Sequence, residues 1–312
     1  LNIALKVNVA TYRGTRDGVP ALIEVFKQHG AGATFLFSFG PDHTGRAIRR
    51  LFRPGSLRMA RRTGAMFRYG LPTLLYGTLL PAPDIGKRCA EIMRGARDAG
   101  HEVGILAWDA TRWHDAALQA DEAWTRHEME RARARFREIF GEDARVHGAA
   151  GWQMNRHAYR LTQSLGFGYC SDTRGACPFV PVYQAEVIAC PQLPTTLPTL
   201  DELMGRDSAS AEQAADRILE LSREALPSGH VYTLRAEVEG LKQRPVFERM
   251  LASWRAEGHQ LVSLSDYFDA LPERNLPRHE IAVGESPGYA GTLALQGPEF
   301  LAGWAGPIAS IA

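Results

Sequence analysis

Short apolar runs alternate with amphipathic stretches along most of the chain. Residues 3–9 and 33–39 read as strands rich in β-branched and aromatic side chains, and residues 19–28 between them place apolar groups at helical spacing. The rhythm continues with strands over 102–108, 145–150, 230–237 and 260–264. Helices are expected over 121–140, 157–165, 211–226 and 246–257. Strand and helix in regular alternation predict an α/β fold with a parallel sheet, and residues just past the C-terminal strand ends are the place to search for chemistry. Beyond Leu271 the periodicity fades among prolines and glycines, so 272–312 is expected to be an extended or partly disordered tail.

The chain has 312 residues, 45% hydrophobic and 23% charged, enough to bury a full core; one large domain over 1–271 is preferred to two small ones. A formal net charge of +1 provides no global attraction for nucleic acid, which directs attention to local charge clusters. Cys89, Cys170, Cys177 and Cys190 form no C-x-x-C pair, a pattern that suits reduced thiols better than a disulfide framework. The opening residues turn polar too soon for a signal peptide, and no run of about 18 apolar residues is present, so a cytoplasmic protein is expected.

One stretch breaks the neutral pattern. Residues 43–83 contain Arg46, Arg49, Arg50, Arg53, Arg58, Arg61, Arg62 and Arg68 among bulky apolar side chains, with no acidic residue beyond Asp42 until Asp84. Guanidinium groups beside apolar ones suit a segment lying at an anionic membrane surface, with lipid phosphate as the simplest target, at the inner face of the inner membrane. A basic helix packed on the barrel is the alternative. Nucleic acid is disfavoured because no reading module accompanies the arginines.

Several separated motifs occur in a fixed order: Tyr12-Arg13-Gly14-Thr15-Arg16-Asp17-Gly18, Gly40-Pro41-Asp42, Ala149-Ala150-Gly151-Trp152, Ser171-Asp172-Thr173-Arg174-Gly175, Pro194-Thr195-Thr196 and Ala236-Glu237-Val238-Glu239-Gly240. Together they resemble the polysaccharide deacetylase (NodB-type) superfamily, and within it the deformylases of formamido-arabinose on an undecaprenyl phosphate carrier. The resemblance runs from about residue 3 to residue 271. It implies an incomplete (β/α)7-type barrel, one divalent metal ion such as Zn, Mn or Co, and a lipid-linked aminosugar used in modifying lipid A, a route to polymyxin resistance. It also implies a first-strand Asp-x-Asp supplying base and ligand, two histidines completing the metal site, and a later histidine as general acid.

Carried onto this chain, the base position is Asn8, the metal positions are Ala10, Leu106 and Ala110, and the acid position is Arg235. Asn8 cannot accept a proton near neutral pH, the three metal positions offer no lone pair, and Arg235 keeps its proton. No metal cofactor is therefore expected, and the chain reads as a catalytically impaired or inactive relative. A site rebuilt from Asp109, His114, His101, His147 or His157 is the second reading, and a non-catalytic membrane-surface module the third. Trp108, Asp109, Trp152, Asp172 and Arg174 are candidates for sugar binding by stacking and hydrogen bonds, or else braces of their loops. Asn155 is expected to cap the helix near His157, and Glu237 and Glu239 stand close enough in sequence to pair with Arg235.

Overall fold

The computed structural model describes residues 1–47, 71–207, 209–271 and 275–301. Its centre is β1 (Asn2–Val9), whose residues are buried from Ile3 onward. On one edge it pairs in parallel with β8 (His230–Arg235), in a register that sets Asn8 opposite Arg235. β2 (Thr34–Ser38) pairs with the upper half of β1, and β9 (Gln260–Val262) with its first residues. β3 (Glu102–Ala107), β4 (Val146–His147) and β5 (Tyr169–Cys170) extend the sheet beyond β2, giving seven parallel strands curled into an incomplete barrel.

Helices cover the outside; those expected over 19–28, 121–140, 157–165, 211–226 and 246–257 are present, the fourth stopping at Ser222, and five others join them among the described residues. α1 (Val19–His29) starts at Pro20 in its first turn and stops at Gly30, whose φ of 58° closes the helix. α2 (Leu71–Leu75) is a single turn, and α3 (Ile85–Asp98) is capped by Asp84. α4 (Ala110–Ala116) is capped by Asp109, α5 (Glu122–Phe140) by Asp121, and α6 (Arg156–Ser164) by Asn155 as expected. α7 (Leu200–Asp207), α8 (Ala211–Ser222), α9 (Arg244–Ala256) and α10 (Leu264–Asp269) complete the layer.

Two expectations need correction. The strand expected over 145–150 is short, Val146 and His147; the Gly148 N–H still donates to the Ile105 carbonyl of β3 at 2.9 Å, but the Ala149 N–H goes to the Asp172 carboxylate rather than to a neighbouring strand. The supposed tail contains β10 (Arg278–Glu285) and β11 (Thr292–Glu299), an antiparallel pair. They join β6 (Val180–Tyr183) and β7 (Glu186–Val187) in a second, four-stranded sheet. Their signal is weak because only Leu293 and Ala294 are buried, so no apolar alternation marks either strand. Residues 302–312 lie outside the described residues, as do Arg49, Arg50, Arg53, Arg58, Arg61, Arg62 and Arg68. Arg46 is described, and its Nε donates to the Gly77 carbonyl at 3.2 Å.

Candidate functional site

The C-terminal ends of β1, β3 and β8 open into a cavity of about 120 Å³. β1 contributes Asn8 and the residues just past it Ala10 and Thr11; the β3 end and α4 contribute Leu106, Ala110, Thr111 and His114; β8 and its following turn contribute Arg235 and Glu237. Thr44, Ala47, Ala150 and Gly151 close the rim. All five positions carried over from the deformylase pattern, Asn8, Ala10, Leu106, Ala110 and Arg235, meet in this one cleft. Alternation along β1 puts Asn8 and Ala10 on the same face, and the ladder puts Arg235 beside Asn8.

The cleft's charges are arranged otherwise than the sequence suggests. The Arg235 guanidinium pairs with Asp201 at 3.2 Å, whereas the Glu239 carboxylate accepts the main-chain N–H of Arg235 at 2.9 Å and the Tyr232 hydroxyl at 3.2 Å. Burial pushes the Glu239 carboxyl up to about 8, with the nearby Asp201 charge acting in the same direction. Burial likewise raises Glu237 to about 7 against the opposing pull of Arg235. Asn8 Oδ1 and Glu237 Oε2 are buried without a hydrogen-bond partner among the described residues. The His114 Nε2 stands 2.9 Å from the Tyr289 hydroxyl, which donates its proton to the Gly151 carbonyl at 2.7 Å. Tyr289 has only one proton to give, so His114 must donate, which fixes hydrogen on Nε2.

At the family's metal positions this lining offers no ligand atom, and the donors that do line the cleft are the Asn8 amide, the Glu237 carboxylate and the His114 imidazole. Ala10, Leu106 and Ala110 present only carbon, Arg235 presents a permanent cation, and the remaining imidazole is that of His114. The alternative ligands do not gather here either. His101 is packed edge-on against Phe26 and Phe35, with burial lowering its pKa; His157 lies 3.7 Å from Glu122; His147 bonds Asp172.

None of the residues expected to contact sugar lines the cleft. The Trp108 ring has Arg131 at 4.2 Å and Arg135 at 5.2 Å, and it lies against Gly40 so closely that a Cβ there would meet the indole at 2.5 Å. Asp109 bonds His43 Nδ1 at 2.5 Å while capping α4. Trp152 is buried beneath the rim, with Lys6 and Arg174 over its ring and Thr195 accepting its indole N–H at 3.3 Å. Arg174 Nη1 donates to both Glu202 oxygens at 2.6 and 2.8 Å, and Asp172 is wholly enclosed. These side chains hold the walls, and the polar lining is Asn8, Thr11, Thr44, Thr111, His114, Arg235 and Glu237. Thr44 was legible only as the residue two beyond the Gly-Pro-Asp motif, whose Asp42 accepts the Thr44 N–H and hydroxyl and the Tyr12 N–H.

No family model matches the chain. It is 36% identical to the probable 4-deoxy-4-formamido-L-arabinose-phosphoundecaprenol deformylase ArnD of Shewanella sediminis (strain HAW-EB3), over 94% of each chain. It is 32% identical to the protein of the same description from Wigglesworthia glossinidia brevipalpis, over 91% of this chain and 98% of that one. Among solved structures, one from Mycobacterium smegmatis assigned to the polysaccharide deacetylases superposes with a TM-score of 0.62 at 15% identity, over 91% of this chain and 94% of that chain, which supports the fold. With the barrel, the motif order and these relatives in agreement, the chain belongs to the 4-deoxy-4-formamido-L-arabinose-phosphoundecaprenol deformylase family.

Proposed function

We propose that this family member binds a lipid-linked formamido- or aminosugar in the cleft without hydrolysing it. The observation that carries the reading is the convergence of Asn8, Ala10, Leu106, Ala110 and Arg235 on one cavity, with none able to hold a hydrolytic metal or pass a proton. The flanking scaffold is kept: Gly18 and Gly240 approach the Ala236 carbonyl so closely that a Cβ would lie 2.1 and 2.4 Å from its oxygen. The hydroxyls of Thr11, Thr44 and Thr111 and the Asn8 amide are groups suited to sugar hydroxyls, and Arg235 to a phosphate or carboxylate oxygen. The carrier lipid would lie in the membrane, with the arginine-rich residues 46–62 at its anionic surface and the protein peripheral to it.

The test is a deformylation assay on lipid-linked formamido-arabinose with zinc, cobalt or manganese added. Wild type is expected to show no metal-dependent turnover while retaining saturable sugar binding. The variant Asn8→Asp/Ala10→Asp/Leu106→His/Ala110→His/Arg235→His is expected to bind about one additional equivalent of metal and to deformylate. Metal-dependent turnover by wild type would establish the rival reading, an active enzyme with a relocated site, and overturn this one.

A further inference from the structure

Beneath the cleft, β4 and β5 are the shortest strands of the barrel, two residues each, and β3 holds β4 through a register of Ile105 with His147. His147 and Cys170 face one another across their ladder, and Asp172 follows two residues later. One ligand atom from each of these three side chains lies within 4.8 Å of the others, and all three residues are buried. Cys190 comes from a different loop, is 2% exposed, and brings its Sγ to 3.4 Å from that of Cys170. We propose that His147, Cys170, Asp172 and Cys190 form a structural site for a divalent cation of the zinc class, separate from the cleft.

The chemistry of the donor set matches such an ion. One imidazole, one carboxylate and two thiolates are zinc ligands, and tetrahedral bonds of 2.0–2.3 Å place ligand atoms roughly 3.3–3.8 Å apart; His147, Cys170 and Asp172 form the close group, and Cys190, at that spacing from Cys170 alone, has to swing inward to complete it. The His147 Nδ1 to Asp172 Oδ1 contact of 2.8 Å lengthens modestly to admit it. Outer partners are in place: the Ala149 N–H donates to Asp172 Oδ1 at 2.8 Å, and the Gln192 amide donates to Oδ2 at 3.1 Å. The His147 ring is held between Trp113 and Phe167.

Charge also balances. Both thiols release their protons to solvent as the ion enters, so two thiolates and one carboxylate face the divalent ion and the buried Lys6 ammonium, whose charge acts on Asp172. Without an ion, burial pushes the Cys170 thiol far above its ordinary pKa, so the two sulfurs meet as neutral thiols. A second, independent sign is the Tyr159 hydroxyl. It is fully buried, interacts electrostatically with Asp172 and Cys170, and has no hydrogen-bond partner among the described residues. Fully enclosed, the site serves to staple the thin side of the barrel, and it has no opening for substrate.

The experiment is cobalt(II) reconstitution of the full chain purified under reducing conditions, read by absorption, elemental analysis and native thiol titration. The expected result is about one bound equivalent, a near-ultraviolet thiolate-to-cobalt charge-transfer band, and two thiols protected from reagent until a chelator is added. Cys190→Ser should weaken the band, and His147→Asn or Cys170→Ser should abolish it. If those two variants do not fold, the wild-type band alone decides. A metal-free protein, a bound ion without the band, or a Cys170–Cys190 disulfide that forms in place of metal binding would each overturn the proposal. Because no cysteine lines the cleft, metal held there gives no thiolate band, and the fate of this site is read separately from that of the deformylase reading.

Discussion

Glu237 is the residue on which the cleft's response to pH turns. Its carboxyl is buried and its folded pKa stands at about 7, above its ordinary value of 4.5. Between those values the native state holds a proton that the unfolded chain releases, so this group's contribution to stability is full below pH 4.5 and is lost as pH rises through about 7. Glu239, raised to about 8, acts with the same sign to a higher pH. Lys6, lowered by burial from 10.5 to about 7, acts oppositely and adds stability as pH climbs from 7 towards 10.5. Glu237→Gln should therefore flatten the decline in stability between pH 5 and 7.5, by on the order of 2 kcal/mol in urea unfolding measured at the two ends. An unchanged slope would show that Glu237 is ionised in the native state. Much at this scale was legible in the sequence: Asn8, Ala10, Leu106, Ala110 and Arg235 are strand-end positions, and the pattern of the family locates them. Trp108, Asp109, Trp152, Asp172 and Arg174, read as sugar contacts or else as braces of their loops, have partners that the sequence does not reveal, such as His43 for Asp109 and Glu202 for Arg174.

At the scale of elements, two loops of the active face lock together. The loop after β1 and the turn after β8 meet at Gly18, Ala236 and Gly240, where main chain touches main chain. Gly18→Ala forces its Cβ against the Ala236 carbonyl, an atom that cannot rotate away. We expect a loss of about 3 kcal/mol or more in chemical denaturation, well above the cost of a helical Gly→Ala exchange, which is commonly stabilising. Stability equal to wild type would mean that the two loops separate freely. Six strands of the barrel and five of its helices were legible because parallel strands buried on both faces and capped helices announce themselves, whereas β5, two residues long, carries no period to read. The second sheet was not, since β10 and β11 bury too few side chains to set a period, and the meeting of Cys170 with Cys190 depends on a loop that returns after 20 residues.

For the whole molecule, a net charge of +1 conceals a strong asymmetry, because no acid occurs between Asp42 and Asp84 while the arginines collect there. The described residues include no helix long and apolar enough to cross a membrane. Attraction to an anionic bilayer would then be electrostatic, worth roughly 1 kcal/mol for each arginine near the surface and weakened by salt. Sedimentation with phosphatidylglycerol vesicles should carry the protein down at low salt. Replacing Arg49, Arg50, Arg53, Arg58, Arg61 and Arg62 with glutamine should leave it in the supernatant. Equal sedimentation of both proteins would remove the arginines from the account.

The Tyr289 contact bears on how the protein is made. Two residues of the cleft's lining, Gly151 and His114, are bonded by a hydroxyl that reaches them across 138 and 175 residues of chain. A ribosome therefore finishes every wall of the barrel before it supplies the hydroxyl that ties His114 to Gly151. Until then the His114 ring lacks the partner that orients it, and a chain cut short before Tyr289 never gains it.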